Sequence, residues 1–336
     1  MQSNLTPRRP ARRLLLASAL GLAALLGPLS GQADAREFRS ADVHPPGYPT
    51  VEAVGHMGKL IGERTQGRYL IKVFGNSSLG SERDTMEQTK IGALDLVRVN
   101  ISPFNNIAPE TMVPALPFVF SSKQHMRNVL DGPIGDEILK SLEPHGFIGL
   151  AFYDSGSRSF YSVRKQIRTL DDLKGMKIRV QQSDMWVAMM QALGANATPL
   201  PAAEVYTALR TGVVDAAENN WPSYQSFRHY EVAKNYTLTE HSMAPELLVF
   251  SKRVWDTLPA ADQAVIRAAA KESVPFMRTL WDEREASAEA AIRASGATIL
   301  ADVDKAAFQK AMEPVYARFA GDAKLQSMVK RIQETR

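Results

Sequence analysis

Apolar and polar positions follow one another here in a repeated order of strand, helix and strand. Residues 37–41 and 69–74 carry the short apolar alternation of strands, and 93–100 reads as a third. Residues 50–65, closed by Gly67, and a segment from Ser81 or Glu82 to Ile91 read as the intervening helices. The loop His44-Pro45-Pro46-Gly47-Tyr48-Pro49 cannot continue a strand, which places it at the carboxyl end of the first one. The rhythm returns at 176–180, a strand, followed by a helix capped by Ser183 or Asp184 and stopped at Gly194. A second helix over 203–211 stops at Gly212, and 213–217 returns as a strand. Such units predict a parallel α/β sheet.

Between these two regions the pattern predicts helices at 122–130 and 134–144 and a strand at 147–153. The turn Asp154-Ser155-Gly156-Ser157-Arg158-Ser159 leads into a short strand at 160–162. A helix over 222–230, a strand at 246–251 and a helix start at 255–259 follow. Residues 260–294 are rich in Ala, Glu, Arg and Lys, with Pro275 their one proline. They predict a helix about 50 Å long, able to brace two lobes, with a kink at the proline. A strand at 297–300 and helices at 305–319 and 323–335 close the chain.

The leader changes the reading of charge. Residues 1–35 hold four arginines (Arg8, Arg9, Arg12, Arg13) and one acid, Asp34. Without them the 40 basic and 36 acidic residues become 36 and 35, too balanced to support a nucleic-acid partner. A basic start, an apolar run from Leu14 to Leu29 and the small-x-small site Ala33-Asp34-Ala35 predict a signal peptide cleaved after Ala35 and a periplasmic product. The run is broken by Gly27 and Pro28 and is shorter than a membrane span needs. Arg12-Arg13 leaves twin-arginine export open beside the general route. There is no cysteine, so disulfides, thiol chemistry and a lipid-modified cysteine anchor are excluded.

Candidate chemistry collects at strand ends. In open α/β sheets ligands gather at the carboxyl edge. Arg179 ends one expected strand and Asn219 lies just past another. A guanidinium can grip both oxygens of a carboxylate and an amide adds a donor; the plainer alternative is a surface arginine paired with an acid. His44, Glu82, Arg98 and Asn100 fall at strand ends or the loops leaving them in the first region. A charge inside Val97-Arg98-Val99-Asn100 is costly unless it faces a polar cleft. Trp221 follows Asn219 closely enough to line such a cleft, and His241 lies near a later strand. The six histidines show no metal-binding spacing, no phosphate or dinucleotide loop occurs, and no nucleophile stands beside a base. Neither a metal, a cofactor nor an enzymatic reaction is expected.

The motifs Leu173-Lys-Gly-Met-Lys-Ile-Arg-Val180, Leu193-Gly-Ala-Asn-Ala-Thr-Pro-Leu200, Glu204-Val-Tyr-Thr-Ala-Leu209 and Thr211-Gly-Val-Val-Asp-Ala-Ala-Glu-Asn219 resemble the solute-binding proteins of tripartite ATP-independent periplasmic (TRAP) transporters, the DctP type. So do Ser78-Leu-Gly-Ser-Glu-Arg83, Gln88-Thr-Lys-Ile-Gly-Ala-Leu-Asp95 and Ala115-Leu-Pro-Phe-Val-Phe120. The resemblance implies a two-lobed periplasmic-binding-protein architecture: lobe I at 36–155 plus 245–284, lobe II at 156–244 plus 285–336. It implies that Arg179 clamps a substrate carboxylate, that Asn219 assists, and that Arg158, beyond a hinge, reaches the substrate; an inter-lobe salt bridge is the alternative for Arg158. Gln181 and Asn220 stand where the family often has proline. Membrane subunits of the transporter are the implied partners, and a monomer is expected. His44, Glu82 and Asn100 suit hydroxyls, and the first-lobe motifs resemble the sugar-acid branch, so a hexuronate such as glucuronate or galacturonate is the expected ligand. Aldonates, C4-dicarboxylates, 2-oxo acids and a sensory role without a transporter are the alternatives.

Overall fold

The structure is a computed structural model that describes residues 35–336. The leader and its cleavage site, apart from Ala35, lie outside the described residues. Chain order begins β1 (Arg36–Ala41), α1 (Pro49–Arg64), β2 (Tyr69–Phe74), α2 (Glu82–Lys90), β3 (Leu96–Asn100), α3 (Lys123–Leu130), α4 (Pro133–Ser141) and β4 (Phe147–Tyr153). It continues with β5 (Arg158–Ser162), β6 (Lys177–Val180), α5 (Asp184–Ala192), β7 (Asn196–Pro199), α6 (Val205–Thr211), β8 (Ala216–Asn219), α7 (Trp221–Ser226) and β9 (Asn235–Ser242). The last elements are β10 (Glu246–Ser251), α8 (Lys252–Trp255), α9 (Ala260–Ala294), β11 (Thr298–Leu300), α10 (Lys305–Ala311), α11 (Glu313–Phe319) and α12 (Ala323–Glu334).

Two sheets result, ordered β2-β1-β3-β10-β4 and β11-β9-β5-β8-β6-β7. Neither is purely parallel. In the first, β1 runs parallel to β2 and β3, while β10 is antiparallel to β3 and β4. In the second, β6 is parallel to β7 and β8, and β5 is antiparallel to β8 and β9. The sequence rhythm shows only the βαβ units; β5 and β10 arrive from the other half of the molecule, so their direction is set by tertiary connection.

Strand alternation sorts the core. Leu248 and Phe250 pack with Phe38, Met57, Ile61, Met277 and Trp281 beneath α1 and α9, whereas Leu247 and Val249 face the opposite layer with Val97, Val99 and Phe104. Each such fully buried side chain contributes about 1.5–3 kcal/mol over leaving it exposed. The second layer continues without a break into Ile178 and Val180 of β6 and Trp186 of α5.

The chain passes between the sheets at 154–157 and again at 243–245. Asp154, directly after β4, is buried and held by Arg127 of α3 and Arg278 of α9. Gly156 has φ +61°, and a Cβ there would lie 2.5 Å from Glu285 Oε1 and 3.1 Å from the Trp281 ring. Only glycine fits that crossing. Helix α9 runs unbroken through Pro275 and packs on α1, β4 and α7, and its Ala288 and Ile292 share a core cluster with Tyr161 and Tyr236 of the second sheet.

Several boundaries differ from the sequence expectation. The 305–319 helix is two, because Pro314 cannot supply a helical N–H. The helix over 222–230 ends at Ser226; Arg228 adopts φ 59°, and His229–Glu231 forms a separate 3-10 turn. Helix 203–211 begins as a 3-10 turn at Ala202–Glu204. Ser183 occupies the cap position of α5 but gives no side-chain cap; its Oγ donates to Asn105 Oδ1 at 2.9 Å instead. The last strand of the second βαβ unit is Ala216–Asn219, so Asn219 is its final residue, not one beyond it.

Candidate functional site

Because β6 and β8 are parallel, Arg179 and Asn219 come to one edge of the second sheet. The antiparallel β5 brings its first residue, Arg158, to that edge, and β9 brings His241. At the first sheet the corresponding edge holds His44 after β1, Arg98 and Asn100 in β3, and Glu246 at the start of β10, opposite Asn100. Glu82 reaches in from the first turn of α2.

Arg179 is 4% exposed. Its Nε and Nη2 both donate to Leu200 O, at 2.9 and 2.6 Å, and it forms no ion pair among the described residues. Burial lowers its pKa, against the pull of Glu218; the guanidinium remains charged. A buried cation without an acid is expensive, and this is the cleft's chief electrostatic debt.

Arg158 is differently placed. Its Nε and Nη2 grip Glu218 Oε2 and Oε1 at 2.6 and 2.9 Å, and Nη1 donates to Asn219 Oδ1 at 2.9 Å. The pair joins neighbouring strands of one sheet, not two lobes. It also overcomes burial and holds the Glu218 pKa below its ordinary range. His241 is fully buried, stacks on Phe160 at 4.5 Å, meets Thr239 Oγ1 at 2.9 Å, and stands 3.8 Å from Glu218. Burial lowers its pKa, so it is neutral.

On the facing edge Arg98 is the hub of three carboxylates. Nε donates to Asp42 Oδ2 at 2.9 Å, Nη2 to Asp42 Oδ1, and Nη1 to Glu246 at 2.7 Å and Glu82 at 3.3 Å. Glu82 also accepts the Asn100 N–H at 2.9 Å. Burial pushes the Glu82 pKa up to about 7, opposed by Arg98 and reinforced by Glu246. The Asn100 side chain is spent: Nδ2 donates to Ala244 O and Glu246 Oε1, while Oδ1 accepts from Ser102 N and Oγ.

Trp221 lies elsewhere. Its ring stacks on Tyr236 at 4.1 Å and lines a separate cavity of about 420 Å³ with Ser159, Glu240, Met243 and Glu285. None of the other candidates lines that cavity. Among the described residues no three His, Asp or Glu side chains converge as metal ligands, and no helix is long and apolar enough to cross a membrane.

The sequence matches the family model for bacterial extracellular solute-binding protein, family 7 (DctP), over residues 40–322. The chain belongs to this family. Similar solved structures agree in fold. A TRAP periplasmic solute-binding protein from Bradyrhizobium sp. BTAi1, in complex with α/β-D-galacturonate, is 63% identical with a TM-score of 0.88, covering 89% of this chain and all of its own. One from Xanthobacter autotrophicus Py2 with bound β-D-galacturonate is 56% identical, TM-score 0.87, with coverage of 89% and 100%. One from Chromohalobacter salexigens with bound D-glucuronate is 40% identical, TM-score 0.85, again covering 89% and 100%. These relatives are binding proteins, not enzymes; the family is periplasmic, takes small carboxylates and works with TRAP membrane components.

Within this solute-binding protein the two edges meet. Tyr48 OH lies 3.0 Å from Ser223 Oγ of α7, and the His44 ring, stacked on Tyr48 at 3.7 Å, faces Phe227 at 4.9 Å. Deeper in, Trp186 Nε1 donates to Ser102 Oγ at 2.8 Å. Burial, then Arg98 and Arg158 from either side, lowers the His44 pKa well below its ordinary value, and its Nδ1 has no partner among the described residues. Sequence reasoning missed Asp42, Glu246, Tyr48, Ser223 and Phe227. Only the loop position of Tyr48, inside the Pro-rich corner, gave a signal. Gln181 and Asn220, where the family often has proline, are both buried: Asn220 caps α7 through Ser223 N at 2.8 Å, and Gln181 Oε1 has no partner among the described residues.

Proposed function

We propose that this protein captures a hexuronate, D-galacturonate or D-glucuronate, and delivers it to a TRAP permease by closure of two lobes about the crossings at 154–157 and 243–245. The observation that carries the reading is the buried, unpaired Arg179, which a ligand carboxylate would satisfy with a bidentate pair. Asn219 Nδ2 supplies a second donor. Opposite, Glu82 Oε2 has no hydrogen-bond partner among the described residues; it accepts hydroxyls and, when ionised, repels a second carboxylate, which favours a polyhydroxylated monoacid over a dicarboxylate. Arg98, Asn100 and Arg158 act in this reading by holding Glu82, Glu218 and Asn219 in place. Three similar proteins with bound uronates support the ligand class.

A thermal-shift screen of organic acids tests it. A ligand at 100 Kd adds about 2.7 kcal/mol to stability, so both uronates raise the melting temperature while succinate and pyruvate do not; the reverse outcome overturns the proposal. We further propose export as a monomer with cleavage after Ala35, which N-terminal sequencing of periplasmic protein checks by a start at Arg36 and gel filtration by size.

A further inference from the structure

Strand β4 ends the first sheet, and no strand lies against its outer edge. Different helices cover the two faces of the sheet there. Phe152 packs with Ile134 and Ile138 of α4, whereas Ile148 and Leu150 pack with Ile266 and Ala270 of α9. Between those helices opens a groove of about 840 Å³, within the range of ligand sites. Gly149, Leu150, Ala151 and Phe152 all line it. Successive strand residues point to opposite faces, so a groove touched by four in a row follows the strand edge itself.

The backbone along that edge is unspent. An antiparallel edge strand turns alternate N–H and C=O groups outward. Among the described residues no backbone hydrogen bond leads from 148–152 to anything but β10. The register slips at Leu150, which has no residue opposite it in β10. On the α9 side Pro275 has no N–H to give the Lys271 carbonyl, and both residues line the groove. Natural sheet edges are blunted by shortness, charge, proline, a bulge or a cover. Here the slip at Leu150 is present, but β4 is seven residues long and reads Phe-Ile-Gly-Leu-Ala-Phe-Tyr, without a charge or a proline. Such an edge is a template for another strand.

Charge sorts the two rims. Asp131 is engaged by Arg278 and Glu272 by Arg64. Of the remaining lining charges, the α4 side has Asp136 and Glu143 against Lys140, a net negative rim. The α9 side has Arg267 and Lys271. A strand lying on the edge of β4 sends its side chains alternately to these two rims.

We propose that this groove docks an extended peptide segment of a partner protein, which pairs with β4 and carries basic side chains toward α4 and acidic ones toward α9. The mode is strand addition, with affinity from main-chain bonds and selectivity from the alternate side chains. The groove lies apart from the sugar-acid cleft: none of Arg179, Asn219, Glu82 and His44 lines it, and the inference does not rest on the uronate reading.

The test uses the full exported protein and two short fluorescent peptides of equal composition. In one, Lys and Glu alternate; in the other, all Lys precede all Glu. The alternating peptide binds by anisotropy at least about tenfold more tightly, the sum expected of a few cross-strand charge pairs. It slows amide hydrogen exchange within 149–152. Lys271→Glu and Asp136→Lys, both at exposed positions without an ion pair among the described residues, each weaken it several-fold and leave the melting temperature unchanged. Equal affinity for the two peptides, no binding of either, or protection outside 149–152 overturns the proposal. So does self-association in gel filtration that protects 149–152 without any peptide, since the occupant is then a second copy of the chain.

Discussion

Arg158 Nη1 donates to Asn219 Oδ1 at 2.9 Å, and the same oxygen accepts the Asn220 N–H at 2.9 Å. Both lone pairs of that oxygen are engaged, so the Asn219 amide has only its Nδ2 hydrogens left to offer. Arg158 is in turn fixed by its fork on Glu218. The edge of the second sheet is thus built in tiers: a satisfied ion pair, an amide oriented by it, and beside them a guanidinium with no acid.

That unpaired guanidinium carries the first prediction. Breaking a buried ion pair costs about 3–5 kcal/mol. Arg179→Ala therefore loses at least about a hundredfold in affinity for the organic anion by calorimetry, and Arg179→Lys, lacking the fork, does little better. Binding at the wild-type level in Arg179→Ala removes the keystone.

Arg158 and Glu218 behave as scaffold. Removing one partner leaves an uncompensated buried charge, so Arg158→Met or Glu218→Leu alone lowers stability by about 3–5 kcal/mol in urea unfolding. The double variant recovers a large part of that loss. If the single Arg158 variant unfolds normally yet fails to bind, Arg158 touches ligand directly.

Glu82 gives a pH dependence. Its carboxyl is raised from 4.5 to about 7 in the folded protein, so the folded state holds this proton more firmly than the unfolded chain. The associated stability is present in full below about 4.5 and is lost as pH rises through about 7. Urea midpoints of wild type and Glu82→Gln, compared from pH 4.5 to 8, should diverge with rising pH, the variant gaining relative to wild type. Parallel curves would mean that Glu82 is ionised throughout.

Tyr48→Phe tests the contact between the edges. The hydroxyl bond to Ser223 is worth about 0.5–1.5 kcal/mol. Its loss should weaken ligand affinity about two- to tenfold, mostly through faster release in stopped-flow, with little change in far-ultraviolet circular dichroism.

Sequence periodicity located the helices and the βαβ units because those features are local. Helix α9, with its bounds at Ala260 and Ala294, was readable from composition alone. The direction of β5 and β10 was not, since neither pairs with its neighbour in sequence within a βαβ unit. The strand-end residues were legible as a set, but their division of labour was not. Nothing in Val97-Arg98-Val99-Asn100 reveals that Asp42 and Glu246, 56 and 148 residues from Arg98, saturate it.

The insertion of β10 between β3 and β4 also constrains how the chain acquires its structure. Residues 246–251, which complete the first sheet, follow β5–β9 of the second in the chain, and β11 of the second follows β10 and α9. Neither sheet can form from a contiguous stretch of chain. Such long-range pairing slows folding, and a nascent chain lacking its last third, and with it β9–β11, lacks strands of both sheets.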